Sequence, residues 1–393
     1  ETITDYVAAG SFKDLANNVK YLQEPDYAML IRTTDIKSKF KGDKFIYINE
    51  AAFNYLWRVN LDKESLILPN IGNCGEVYYL TPDNLPYERC ALATNAILVR
   101  SNQVNMKYLK HIFLANDFQI QLKRITSPSG QTKFNKTDFK KLVVPIPPLA
   151  VQEEIVRILD KFSELEAELE AELEARKNQY EFWRDSLLKE KTSKEYKLKE
   201  VVDLYLGLTY TPNYVEEGVK FLSSLNISKG YLDLKSIKYI SKDEFKNSTS
   251  NAKPKKGDIL YVRVGSNLGH PVIYDLEEDV CVFVSVGFAR VKNTNILSNK
   301  YLKYWMDSDL FMDQVKSKTM NSLKANLNAS WMKEFTIFIP SLEKQNKIVQ
   351  ILDKFDKLIN DISIGLPAEI ELRKKQYKYY RNKLLDFDGK SDE

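Results

Sequence analysis

Two glycine-punctuated stretches carry residue types suited to contacting a polyanion: Gly72-Asn73-Cys74-Gly75 and Gly265-Ser266-Asn267-Leu268-Gly269. Lysines, arginines and amide side chains are interleaved around both. In the first half these are Arg32, Lys37, Lys39, Lys41, Asn70, Asn73, Lys133, Asn135 and Lys136. In the second half they are Lys253, Lys255, Lys256, Arg263, Ser266, Asn267, His270, Asn321, Lys324 and Asn326. Cations neutralise phosphates and so position a protein on DNA, while Arg, Asn and Gln read base edges. Taken singly, each is more simply a solvated surface residue, and each glycine stretch is also readable as a plain turn. Arg263 can instead brace its loop from within a strand. No helix opens directly after the glycines, so a phosphate cradle is weakly supported.

Other chemistry is excluded more firmly. The only Pro-Pro pair, Ile146-Pro147-Pro148-Leu149, lacks the polar donor and the aromatic ring that would hold a flipped adenine. It reads as a strand-to-helix hinge. No GxxxxGK[ST] phosphate loop exists. With only His111 and His270, most His-based catalysis and metal binding is removed. Cys74, Cys90 and Cys281 form no close pair, which argues for a reducing cytosol and against zinc. No apolar run approaches the ~20 residues needed to span a membrane, and no signal peptide is visible. A cytoplasmic protein is expected, with a start that is processed or cut, since residue 1 is Glu.

The elements that must position these residues are written twice. Ile155-Val156-Arg157-Ile158-Leu159-Asp160-Lys161-Phe162 returns as Ile348-Val349-Gln350-Ile351-Leu352-Asp353-Lys354-Phe355. In the same register Tyr108-Leu109-Lys110 pairs with Tyr301-Leu302-Lys303, Leu66 with Ile259, Gly72 with Gly265 and Asn135 with Asn328. A period this long reads as a duplicated domain with its helix, not as a solenoid unit. The expected layout is a β-rich mixed domain over 1–147, a long helix over 148–190, a second domain over 191–340, a second helix over 341–387 and a tail. The net charge of +4 is unevenly spread, because the glutamate run Glu164 to Glu174 makes the first helix acidic. The domains are mildly basic, which allows a polyanion partner without proving one.

In the first domain Tyr27–Ile36, Phe45–Ile48, Leu66–Ile71, Val77–Leu80 and Ala96–Arg100 read as strands, Tyr108–Arg124 as one amphipathic helix and Leu142–Pro147 as an exit strand. The second repeats the plan with strands over Leu198–Leu206, Val219–Leu225, Asp258–Val264, Val272–Tyr274 and Cys281–Val291, and a helix over Tyr301–Lys318. The counterpart of Lys197–Gly207 matches poorly near residues 4–14, so the first domain is expected to begin differently or to lack its first strand. On the long helices, Ile155, Leu159, Phe162, Leu165, Leu169 and Leu173, with Ile348, Leu352, Phe355, Leu358 and Ile362, define a seam at coiled-coil spacing. The two helices are expected to pack antiparallel, with Lys354, Lys357, Arg373, Lys374 and Lys375 answering the glutamates. Pro367 should kink or restart the second helix. Tyr180, Trp183, Tyr377 and Tyr380 near the helix ends serve core packing or the docking of a partner subunit.

This α+β architecture of two β-rich recognition domains on two similar helices resembles the specificity subunits of type I restriction–modification enzymes. The resemblance covers nearly the whole chain. It is carried by Pro145-Ile146-Pro147-Pro148-Leu149 with Gln152, by Ile155-Val156 and Leu159-Asp160-Lys161-Phe162, by Lys133-Phe134-Asn135-Lys136-Thr137-Asp138-Phe139, and by Gly365-Leu366-Pro367-Ala368-Glu369-Ile370 with Gln376-Tyr377. It implies a subunit without a catalytic centre that reads a split, asymmetric site in double-stranded DNA. It also implies two methyltransferase subunits as partners, with restriction subunits as further ones. S-adenosylmethionine, ATP and Mg would then belong to those partners, and this chain would hold no cofactor or metal. Two other readings are weighed against it: a coiled-coil adaptor that binds only proteins, and a stand-alone DNA methyltransferase or nuclease.

Overall fold

The computed structural model describes residues 2–127, 130–189, 193–265, 267–319, 326–361 and 363–387, apart from the side chain of Phe12. It divides into two compact units, one of Glu1–Leu169 with Ile370–Glu393 and one of Glu170–Glu369.

The first unit holds strands β1 (Thr2–Asp5), β2 (Ala28–Ile31), β3 (Ile46–Ile48), β4 (Ser65–Pro69), β5 (Tyr78–Leu80), β6 (Cys90–Leu92) and β7 (Ala96–Arg100). Its helices are α1 (Phe12–Asn18), α2 (Thr33–Lys37), α3 (Glu50–Tyr55), α4 (Met106–Leu114), α5 (Asn116–Ile125) and α6 (Lys136–Phe139), followed by the 40-residue α7 (Leu149–Leu188), which continues into the second unit. One sheet has the antiparallel order β1-β7-β4-β5, and a smaller one has the order β3-β2-β6 with β2 and β6 parallel. Strands β4 and β7 are buried on both faces. Leu66, Leu68, Ile97 and Val99 enter the core beneath α4 and α5, while Ile67, Ala96 and Leu98 enter the core shared with the small sheet. That double burial is why these strands read as unbroken apolar runs.

The second unit holds β8 (Lys194–Lys197), β9 (Val202–Leu206), β10 (Tyr214–Val215), β11 (Val219–Leu222), β12 (Lys238–Ile240), β13 (Ile259–Val262), β14 (Pro271–Ile273), β15 (Val280–Val282), β16 (Val286–Val291) and β17 (Thr336–Ile339). The helices are α8 (Leu198–Val201), α9 (Lys242–Asn247), α10 (Asn299–Met306), α11 (Asp309–Thr319), α12 (Ala329–Met332), α13 (Leu342–Asn360) and α14 (Leu366–Leu384), the last extending into the first unit. Its sheets run β14-β13-β16-β9 and β10-β12-β11-β15, with β11 and β15 parallel. The two units thus share the order of these strands apart from β10, and Ala91 opposite Leu30 and Cys281 opposite Phe221 occupy matching places on the parallel pairs.

Of the two expectations for the start of the first domain, a missing first strand does not hold, since β1 pairs with β7. Thr2 faces Arg100 across β1 and β7 just as Asp203 faces Arg290 across β9 and β16. The match was poor because this strand lies in a different register from the 193-residue offset. Each domain helix expected as one segment is two. Asp117 lies in the first turn of α5 and Asp309 in that of α11, where the helix dipole favours an acidic side chain. Tyr27–Ile36 is a strand only to Ile31, since Arg32 and Asp35 cap a new helical turn. Leu142–Pro147 carries no strand, whereas its counterpart Thr336–Ile339 does because β8 lies alongside it.

Candidate nucleic-acid interface

In the first unit β4 runs out at Pro69 into a loop that turns at Gly72, whose φ of 85° favours glycine. Gly72 N donates to Thr132 O at 2.8 Å and Phe134 N donates to Asn70 O at 3.0 Å. Ile71 bridges to Lys133. The loops over 70–75 and 131–134 are therefore zipped into one edge, which leaves Asn73 and Lys133 exposed. Lys37 ties α2 to this edge through Glu76 at 2.7 Å. Lys39 and Lys41 are exposed beyond α2, and Lys39 holds a positive φ of 52°.

Other candidates are engaged inside the fold. Asn70 is half-buried, with Nδ2 directed at Phe134 O at 3.4 Å. Arg32 grips Asp35 at 2.6 and 2.9 Å and donates to Lys44 O at 2.7 Å. Asn135 caps α6 by accepting from Asp138 N at 2.8 Å. Lys136 pairs with Asp5 at 2.8 Å.

The second unit repeats the zipped edge. Val264 bridges to Asn326, Leu327 N donates to Arg263 O at 2.8 Å, and Gly265 turns with φ of 121°. Asn267 and Asn326 are exposed. Arg263 is buried; its Nε donates to Leu327 O at 3.3 Å and its Nη1 to Val284 O at 2.8 Å, so it braces the loop from inside. His270 is half-exposed, with Nδ1 3.6 Å from Asp307 Oδ1. Lys253, Lys255 and Lys256 precede β13 and lie at its other end, away from the loop that follows Val262. Lys253 lies over the Phe245 ring and Lys256 pairs with Glu277. Ser266, Asn321 and Lys324 lie outside the described residues. One element of this edge escaped the sequence reading: Asn267 Nδ2 donates to Ser228 O at 2.7 Å, which brings in the segment after β11. It occupies the place that α2 holds in the first unit. Only the parallel strand pairing reveals the equivalence.

The residues that carried the family resemblance anchor the helices to these units. Gln152, at 1% exposure, accepts from Asn105 N at 2.9 Å and donates to Pro147 O at 2.7 Å. Gln345, at 0%, accepts from Ser298 N at 2.8 Å and donates to Pro340 O at 2.9 Å. Tyr108 and Tyr301 donate to Pro145 O and Phe338 O at 2.9 and 3.0 Å. Asp160 receives Lys107 at 2.7 Å and His111 Nε2 at 3.0 Å, whereas Asp353 receives Lys300 and the Tyr304 hydroxyl, both at 2.6 Å. Hydrogen bonds from His111 and Lys107 hold the Asp160 carboxyl down to about 2 against the opposing effect of burial. Burial pushes the His111 imidazole below its usual value despite the Asp160 partner. A neutral ring fits the geometry, with Nε2–H donating to Asp160 and Nδ1 accepting from the Tyr377 hydroxyl at 2.9 Å.

Along α7 and α14, Phe162 stacks on Tyr380 at 5.4 Å and Glu166 pairs with Lys374 at 3.5 Å. Ascending one helix descends the other, so this pairing is antiparallel. Ile155 and Leu159 are buried, but Leu165 is 39% exposed because Glu166 takes the inward face. In the second unit Leu173 packs against a core that includes Ile348, Leu352 and Ile359, with Phe355 also against it. Leu358 points outward; the four-residue step from Phe355 puts Ile359 on the seam instead. Leu169 is half-buried and Ile362 lies outside the described residues. Tyr180 is a core residue, 6.4 Å from the Phe355 ring, and Tyr377 is bonded to His111. Trp183 and Tyr380 are 44% and 43% exposed.

Among the described residues no group of three or more His, Cys, Asp or Glu could hold a metal, and no helix is long and apolar enough to cross a membrane. Two copies of one β-rich module, each clamped to a long helix by the same glutamine and aspartate, define a duplicated module-on-helix protein. The family model described as the type I restriction modification DNA specificity domain matches residues 11–175 and again 190–372. The chain belongs to that family. The chain is 36% identical over 263 residues to the EcoR124I/EcoR124II specificity subunit of Escherichia coli, covering 63% of this chain and 63% of that one. It is 33% identical over 269 residues to a Haemophilus influenzae type I specificity subunit, covering 65% and 67%. A chain from a solved type I restriction–modification complex shares the fold, with TM-score 0.56 at 17% identity over 84% of this chain and 83% of that one.

Proposed function

We propose that this chain is the sequence reader and scaffold of a type I restriction–modification system, without a catalytic centre of its own. Each unit reads one half of a split, asymmetric site in double-stranded DNA, and the helices carry two adenine-methyltransferase subunits, with restriction subunits as further partners. The observation that supports this reading best is the loop edge built twice, Gly72 zipped to the Lys133 loop and Gly265 to the Asn326 loop, on sheets of one topology. Amides and a lysine exposed on such rigid edges suit contacts to bases and phosphates. Two similar helix anchors suit two identical partners.

The test is a long-read methylome of cells expressing this chain together with its neighbouring methyltransferase. The expected result is adenine methylation at one new bipartite motif that is absent without this chain. A co-purifying complex that leaves no new methylated motif, and whose DNA affinity is insensitive to salt, would instead favour a protein-only adaptor.

A further inference from the structure

The segment after β11 holds a leucine where a polar edge would be expected. Leu225 is 80% exposed and is flanked by Ser223, Ser224, Asn226, Ser228 and Lys229. A single exposed leucine is ordinary, but this one sits on a turn built to be rigid. Asn226, 7% exposed, accepts from Ser223 N at 2.9 Å and donates through Nδ2 to Asp233 O at 3.0 Å. Asp233 N returns a bond to Asn226 O at 2.7 Å, and Ser224 N donates to Ser285 Oγ at 3.1 Å. Ser285 O in turn accepts from Arg263 N at 2.9 Å, at the root of the Gly265 loop. The turn is thus fastened on both sides of Leu225. It lies beside the loop edge, since Asn267 holds Ser228 O. The side chain stays exposed although Tyr214, Phe221 and Phe283 line the same cleft and would offer it shelter.

We infer that Leu225 is a base-reading residue of the second unit, contacting the 5-methyl group of a thymine in the major groove. This rests on the DNA-reading function proposed above. An apolar side chain on a rigid turn within a hydrogen-bonding edge can distinguish the one major-groove feature that is itself apolar. Pre-organisation of the turn by Asn226 means that little backbone freedom is lost on contact. The prediction is a T·A pair at one fixed position of one half-site.

The complex of this chain with its methyltransferase subunits is used, on duplexes carrying the motif found by methylome sequencing, with each thymine replaced in turn by uracil. At one position the loss of the methyl group should weaken binding about fivefold. The Leu225→Ala complex should bind the thymine and uracil duplexes equally at that position. It should keep the salt dependence and the discrimination at the other half-site that show an intact fold. A wild-type complex indifferent to every thymine-to-uracil change, or a Leu225→Ala complex that still discriminates, would overturn the assignment. Loss of all sequence-specific binding by the wild-type complex would instead sink the DNA-reading function itself.

Discussion

At the scale of single residues, equivalent positions in the two units do the same work with different chemistry. His111 and Tyr304 both donate to the aspartate of the helix anchor, Asp160 and Asp353. Only the first can take up a proton near neutrality. Burial holds the His111 pKa below that of the unfolded chain, so the unfolded state binds more protons as pH falls past about 6.5. The first unit should therefore lose stability as pH falls through and below about 6.5, as the penalty for a buried neutral imidazole develops. His111→Gln should flatten that pH dependence, which melting curves on either side of that pH would register. Lys110 and Arg381 add positive charge that disfavours the imidazolium, while Lys107 faces the site through its pair with Asp160. Gln152 makes a second residue-scale test. Gln152→Ala strands Asn105 N and Pro147 O at the anchor, so denaturant unfolding should show a loss of about 1–3 kcal/mol.

At the scale of elements, the second long helix is two helices with a tight turn between them. Pro367 falls in the first turn of α14, where no intrahelical N–H is lost, so it restarts the helix without the cost of an interior proline. Gly365 is the harder constraint. A Cβ there would meet the carbonyl oxygens of Lys357, Leu358 and Asp361 at 2.7 Å. Gly365→Ala should destabilise the chain by about 1–3 kcal/mol through a forced backbone shift, whereas Pro367→Ala should be close to neutral. An equal response of thermal stability to both substitutions would refute this account of the turn.

At the scale of the whole molecule, duplication makes a separable prediction. The zipped edges belong to different compact units, so substitutions in one should alter one half of the methylated motif. Asn73→Ala should relax base preference in a single half-site. Lys133→Ala should weaken binding evenly across sequences and reduce the salt slope by about 1. Motif sequencing and salt titration distinguish these outcomes. A change in both half-sites from either substitution would contradict independent reading.

Much of this was legible in the chain. The repeat exposed the two domains, the helices and the matched Gly72 and Gly265, because duplicated sequence records duplicated packing. Apolar spacing alone put Ile155 and Leu159 on one face of their helix and Ile348 and Leu352 on one face of theirs, and all four are buried. Spacing could not decide between Leu358 and Ile359, or foresee Glu166 facing inward, because adjacent positions on a helix differ only in which face meets a neighbour. Nor could it sort the polar candidates. Arg263, Asn135 and Lys136 are spent on a strand, a cap and an ion pair, and Asn267 on Ser228 O, while Asn73, Lys133 and Asn326 stay exposed. The amino-acid sequence by itself determined the repeat, the α+β class and the residue types at the loops. Only the tertiary structure decided which of those side chains satisfy the fold and which are left for a partner, because hydrogen bonds and ion pairs between residues distant in sequence form only when strands bring them together.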